Sequence, residues 1–324
     1  MEELMTDDTC ATLLLCAFQG GEKEHLPLTV DEYNRVAHTL HRSDQRPSDL
    51  LGSVLITDVS HEAEIQQDRL AWLLDRRINL GFTLEQWYRA GIWVLSRSDL
   101  HYPACLRKNM GNQAPPLIYG TGHQHLGHQD TLAIMGPDSI SNARISKVGD
   151  MAEDLADQQK TVVTIGALKL GKKVVQSVYE HGGRVLWVLS GGHLKLRLKK
   201  PYRQAIRDEN LTMIAMQSPA TPSTSDEEAA LSQVAASQAD EILYVDGVNS
   251  KDIAKRVDRY QAFRAALNRP SQCSVFHGQK LTPEAQELLK SGASSWDQKS
   301  VDGPNTDANP SEGKESSHQG DLFG

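Results

Sequence analysis

The spacing of apolar and polar positions divides the chain into three stretches. Up to about residue 91, apolar residues recur at helical intervals. Thr29-Val30-Asp31-Glu32 has the form of a capping box, and Tyr33, Val36, Ala37 and Leu40 follow at three- and four-residue steps, which predicts an amphipathic helix. Ile65, Leu70, Leu73, Leu74 and Ile78 predict a second helix, and Thr83 with Gln86 predicts the start of a third that ends near Gly91. Trp72, Trp87 and Trp93 are expected as core anchors.

Beyond residue 91 the period changes. Short apolar runs of β type at 92–95, 117–119, 131–135, 161–165, 184–189, 211–216 and 241–245 alternate with amphipathic segments at 147–158, 172–180 and 201–208. This alternation, with glycine at strand ends, predicts an α/β, Rossmann-like, mostly parallel doubly wound sheet. Such a sheet places any ligand at the carboxyl ends of its strands. From about Ser294 the chain turns to Ser, Asn, Asp, Gly, Gln and Lys, with Trp296 as the single aromatic up to Gly320. That composition buries too little apolar area to offset its ordering entropy, so a disordered tail is expected. The expected division is a helical domain at 1–91, an α/β domain at 92–293 and a tail at 294–324.

A hydrophobic fraction of 39 % and a net charge of −8 exclude collagen, a coiled coil and a chain that is basic throughout. Cys10, Cys16, Cys105 and Cys273 form no CxxC pair and read as reduced thiols of a cytoplasmic protein. The apolar run at 13–18 is too short to span a membrane. The mean charge hides an asymmetry. Between Ile165 and Arg207 there are ten positive side chains, and Glu180 is the one acid. Lys169, Lys172, Lys173, Lys195, Arg197, Lys199, Lys200 and Arg203 are therefore candidate phosphate contacts. From Lys195 to Lys199 charge alternates with leucine, so an extended backbone would set these charges on one side.

Other motifs are weaker. At Gly136-Pro137-Asp138-Ser139 a strand meets glycine and a hydroxyl, the way α/β folds offer backbone N–H groups to phosphate, but Asp138 would repel one. Gly166 and Gly171 follow a strand without the Gly-Lys-Ser/Thr spacing of a P-loop. His123, His125 and His128 lack a thiol or carboxylate to complete a zinc site, so neither metal nor cofactor is expected. No spacing nominates a nucleophile, and no catalytic residue is assigned. At the end of the chain, Gln319-Gly320-Asp321-Leu322-Phe323 resembles the pentapeptide by which bacterial replication and repair proteins bind the sliding clamp. Leu322 and Phe323 would fill an apolar pocket and Gln319 would bond at its rim, while Gly320 departs from the preferred leucine.

From Ile92 onward the order of motifs resembles the DprA/Smf family of DNA-processing proteins. The resemblance rests on Trp93-Val94-Leu95 with Tyr102-Pro103, Pro115-Pro116-Leu117-Ile118-Tyr119-Gly120, Ala133-Ile134-Met135-Gly136, a gap-free match over 164–183, Gly191-Gly192, the run at 241–246 and the ending at 278–293. It implies a Rossmann-like domain and a non-catalytic protein that binds single-stranded DNA. It also implies help in loading a RecA-type recombinase in natural transformation, recombination or repair, and often a homodimer. The departures fall at the family's pocket: Asp138 stands for Arg, Ile165 and Lys169 for two glycines, Gly171 for Asp, Val175 for His, and Leu231-Ser232-Gln233 for Arg-Asn-Arg. Gly136, Ser139, Gly166 and Gly171 are thus expected to outline a degenerate pocket. Two rival expectations follow. One is a scaffold that binds a protein partner in a phage-defence or mobile-element complex. The other is a nucleotide sensor or enzyme using Gly136, Ser139 and Gly166.

Overall fold

The computed structural model describes residues 5–19, 25–52, 54–124, 130–137, 140–166, 169–189, 191, 193–195, 198–221, 228–247 and 263–296. It begins with helices α1 (Asp7–Cys16), α2 (Val30–Arg42), α3 (Ile56–Glu62), α4 (Gln67–Asp75) and α5 (Arg77–Arg89). Apolar spacing does not reveal α1, because this helix is enclosed by the others. Ala11, Leu13, Leu14 and Leu15 are all fully buried, so no polar face breaks the run. Its first turn is capped by the Thr6 hydroxyl, and its last carbonyls, Leu14 O and Ala17 O, accept from the buried Arg76 guanidinium.

Arg76 also corrects two sequence expectations. It separates α4 from α5, so the single helix expected through Ile78 is two, and Ile78 is 77 % exposed instead of buried. Thr83 lies inside α5 with its hydroxyl bonded back to Asn79 O at 2.8 Å, and caps nothing. Trp87 is fully buried as expected, whereas Trp72 and Trp93 are half-buried.

The capping box of α2 forms as predicted. Thr29 N–H donates to Glu32 at 2.8 Å, and Glu32 N–H to the Thr29 hydroxyl at 3.3 Å. Arg69 adds two bonds to the same carboxylate, at 2.7 and 3.0 Å, and holds Glu32 down at about 2 from an ordinary 4.5. A depressed carboxyl stabilises the fold above its unfolded value and loses that contribution as pH falls through the folded value. Thermal melts should therefore weaken between pH 4.5 and 2, and Glu32→Gln should flatten that limb while lowering stability at neutral pH. An unchanged limb in the variant would place the acid sensitivity elsewhere.

Among the described residues nine strands form one sheet, in the order β1-β2-β6-β5-β4-β3-β7-β8-β9. They are β1 (Ile92–Ser96), β2 (Leu117–Thr121), β3 (Thr131–Met135), β4 (Thr161–Ile165), β5 (Arg184–Val188), β6 (Leu211–Ala215), β7 (Glu241–Val245), β8 (Cys273–Phe276) and β9 (Ser294–Ser295). The seven from β6 to β9 in this order run parallel, and β1 and β2 close one edge antiparallel. The predicted strands β1 to β7 are all present. β8 has only four residues, one of them Ser274, and escapes a pattern search. Ser294, Ser295 and Trp296 also belong to the sheet, although composition assigns them to the tail. Trp296 N–H donates to Val275 O at 3.0 Å, and its indole packs on the core.

Helices α7 (Asn142–Asp157), α8 (Lys169–Glu180) and α9 (Lys200–Arg207) cover one face of the sheet. Helices α6 (Ala104–Met110), α10 (Glu228–Ser237) and α11 (Pro283–Lys290) cover the other. The N-terminal helices share a third core with β1 and β2, where Trp87 meets Tyr119 edge-on at 5.3 Å.

Candidate nucleic-acid interface

Each parallel strand hands the chain to a helix that starts at the sheet's carboxyl edge. β4 leads to α8 and β5, through 189–199, to α9. Because β4 and β5 are hydrogen-bonded neighbours, α8 and α9 both follow from adjacent strands at that edge. They carry Lys169, Lys172 and Lys173 on α8, and Lys199, Lys200 and Arg203 on α9. The burial of Leu170, Gly171, Val174, Val175 and Val178 leaves positions 169 and 172 on the outer side of α8, while the Lys173 side chain lies against Gly149 of α7. Lys169, Lys200 and Arg203 are exposed, and Lys172, Lys173 and Lys199 are half-buried. Among the described residues no carboxylate pairs with Lys169, Lys199, Lys200 or Arg203.

Not all of the basic stretch gathers there. Arg184 opens β5 and Arg207 ends α9, at the opposite, amino edge. That edge holds acids: Lys160 Nζ sits 3.0 Å from Asp130 and 3.2 Å from Glu241. Burial works against the charged amine, but the two carboxylates outweigh it and raise the Lys160 pKa. Lys195 ends a 3-10 turn, His193–Lys195, so the alternating stretch is not extended throughout. Arg197 and Ser139 lie outside the described residues, as do His125, His128 and the terminal Gln319, Asp321, Leu322 and Phe323. Among the described residues no three metal-ligating side chains cluster. None of their helices is long and apolar enough to cross a membrane.

The glycines of the expected pocket stand where the backbone is crowded. A Cβ on Gly171 would lie 1.9 Å from Ile165 O, so α8 rests directly on the end of β4. A Cβ on Gly136 would lie 2.5 Å from Val245 O, at the switch point between β3 and β7. At Gly166 the neighbours are Leu189 and the Trp187 indole, at 2.7 and 2.8 Å.

Two features at this edge were not legible beforehand. Arg144, in the first turn of α7, donates to Asp246 O and, at 3.0 Å, to Gly247 O. The fully buried Asp246 carboxylate accepts from the Thr282 hydroxyl at 2.6 Å and from Thr282 N–H at 3.2 Å. Burial raises the Asp246 pKa despite these bonds and the Arg144 charge. Thr282 in turn caps α11, so the pair ties α11 to the switch point. Thr282→Ala should cost about 1–2 kcal/mol in chemical denaturation, and a cost near zero would mean the cap is idle. No motif announces these partners, because residues 144, 246 and 282 meet only through the fold.

Comparison with known proteins agrees with this geometry. Residues 93–230 match the family model of DNA recombination-mediator protein A. Over these residues the chain is similar to the DprA family. The DNA processing protein A (DprA) of Streptococcus pneumoniae superposes with a TM-score of 0.64 at 16 % identity, covering 90 % of this chain and 94 % of that one. The Helicobacter pylori DprA, which has a unique single-stranded DNA binding mode, gives a TM-score of 0.50 at 13 % identity, covering 63 % and 89 %. Among curated proteins no sequence matches. The DprA likeness to the pneumococcal protein extends over the helical N-terminal part as well as the sheet.

Proposed function

We propose that this DprA-like chain binds single-stranded DNA along the first turns of α8 and α9 and, without catalysing a reaction, assists the loading of a RecA-type recombinase. The observation that carries the reading is that α8 and α9, which follow adjacent strands at one sheet edge, bear Lys169, Lys172, Lys173, Lys200 and Arg203 with Lys199 at the α9 N-cap, and that Lys169, Lys199, Lys200 and Arg203 have no carboxylate partner among the described residues. Lys195 and Arg197 fall in the sequence between β5 and α9 and are proposed as further phosphate contacts. Such a face recognises the phosphate chain, so affinity is sequence-tolerant and falls steeply with salt. The H. pylori relative binds single strands, which supports the choice of ligand. The C-terminal Gln319, Asp321, Leu322 and Phe323 would separately recruit the replication sliding clamp, and a homodimer is the expected assembly.

The testing experiment is a salt-series anisotropy titration with single- and double-stranded oligonucleotides, on the full chain and on one ending at residue 296. Single-strand binding with a steep salt slope, retained after truncation, is the expected result. Absence of single-strand binding would favour the scaffold reading, in which the same cations meet an acidic protein. That rival draws on the crowding at Gly136, Gly166 and Gly171, which leaves these glycines packed against protein atoms.

A further inference from the structure

Helix α5 carries an apolar stripe on the side turned away from the core. Leu80 and Trp87 point inward and are buried. On the outer side Ile78 is 77 % exposed, Phe82 71 % and Tyr88 67 %. Counted from Ile78, residues 81, 82, 85, 88 and 89 recur at the spacing of one helix face, and all of them are exposed. A surface helix ordinarily turns charge outward, so a second apolar stripe is the mark of a surface that is covered by a partner. Gly81 lies in the middle of the stripe with nothing within 4 Å of an added Cβ, so another backbone can come close. Glu85, the acid of the stripe, pairs with Arg89 at 2.5 Å and leaves it neutral.

We propose that this stripe is the contact between two copies of the chain, with their α5 helices antiparallel about a two-fold axis near Phe82. Such an axis sets Phe82 against its own copy beside Gly81, and carries Ile78 toward the Glu85–Tyr88 end of the other helix. Neutrality suits this occupant. Each chain carries a net charge of −8, so two copies repel, and a charged stripe would add to that. A lipid surface or a nucleic acid calls for surplus cations beside the apolar groups, whereas Arg89 is engaged by Glu85. The chain's own Leu322 and Phe323 fit less well. α5 packs on β1, and residue 296 follows β9 at the opposite edge, about 38 Å away at the usual strand spacing. A flexible linker as long as 297–318 spans about 26 Å on average. Covering three side chains of roughly 150 Å² each, with the polar residues between them, buries about 600 Å² per copy, or about 1,200 Å² in all, the lower end for a specific interface. The contact is thus a reversible one. It rests on the homodimer expected above and adds the surface that forms it.

The test is sedimentation velocity of the full chain, without DNA, over a concentration series. Wild type should dimerise reversibly, and added salt should not weaken the dimer, because the contact is apolar and the like charges of the two copies are screened. Phe82→Glu should keep the wild-type melting curve and raise the dissociation constant by about a hundredfold, since a two-fold contact counts the change twice. Ile78→Glu should act in the same direction. Phe82→Cys should give a disulfide-linked dimer on oxidation with copper–phenanthroline, above the level set by the native cysteines of wild type. A dimer indifferent to both Phe82→Glu and Ile78→Glu would overturn this surface and leave the homodimer standing. A chain that stays monomeric at every concentration would overturn both. A wild-type monomer that dimerises once Leu322 and Phe323 are changed to alanine would assign the stripe to the tail, and overturn the proposal in that way. Failure of single-strand binding, by contrast, would sink the DNA reading and leave this contact standing, because no DNA takes part in the test.

Discussion

Reversing Lys199 and Lys200 together to glutamate should lower single-strand affinity by roughly a hundredfold at 0.1 M salt and reduce the salt slope by about 1.4. The slope change follows from losing two phosphate contacts, each of which releases about 0.7 of a counterion from a single strand. The affinity loss is larger than two neutralisations would give, because the new carboxylates repel the phosphates they face. Lys199 caps α9 and Lys200 is its first residue, so the substitution also sets negative charge at the helix end that favours it. The fold should therefore be kept or slightly strengthened, and loss of binding cannot be ascribed to unfolding. The reading is sunk by an anisotropy titration in which affinity and slope are both unchanged. Double reversal of Arg184 and Arg207 serves as the control. These residues belong to the amino edge, near Lys160 and its two acids, and should alter single-strand binding little.

Gly171→Ala should destabilise the α/β domain by about 3 kcal/mol or more, the upper range for forcing atoms into a packed core. An added methyl would meet Ile165 O at 1.9 Å and Ile165 C at 3.0 Å. Both are backbone atoms of a central strand with parallel neighbours on both sides, so neither yields as a side-chain tip would. Relief requires α8 to lift from the sheet, which opens the buried contacts of Leu170, Val174 and Val178. At about 2–4 °C per kcal/mol for a domain near 200 residues, the melting temperature should fall by roughly 6–12 °C. Gly182→Ala offers a contrast: its φ of +71° is strained for alanine, but nothing lies within 4 Å of the new methyl. It should cost about 1 kcal/mol. A Gly171→Ala protein that melts with wild type would mean that the helix adjusts freely. The outcome separates a packing role for Gly171 from a ligand-binding one, because packing loss appears in the melt without any nucleotide present.

Much of the α/β architecture could be read from the chain alone, and the reasons are local. A parallel strand buried on both faces appears as a short continuous apolar run, and β3, β4 and β6 are each five residues buried throughout. The covering helices α8 and α9 show their polar faces in the spacing of Lys169, Lys172 and Lys173, and of Lys200, Arg203 and Arg207. The capping box at Thr29 is legible because both of its bonds lie within four residues. What stayed hidden had no local signature. α1 buries all of its apolar residues from Ala11 to Leu15, and the break at Arg76 is met by carbonyls at the end of α1 some sixty residues earlier. β8 depends on pairing with β7, as Cys273 with Ile242, and β9 on pairing with β8, as Ser294 with Ser274, and their sequences are too short and too polar to signal it.

The candidate site divides in the same way. Its one-signed charge between Ile165 and Arg207 is a property of the sequence, since counting residues needs no coordinates. Which of those charges come from the same edge of the sheet was decided by the strand order. Adjacency of β4 and β5 brings the first turns of two successive crossover helices to one edge and sends Arg184 and Arg207 to the other. Tertiary contacts also settled what Gly136 and Gly171 do, for the atoms that crowd them are the carbonyls of Val245 and Ile165. Composition sets the charge and the apolar periods set the elements, but only the packed sheet selects which side chains share a surface.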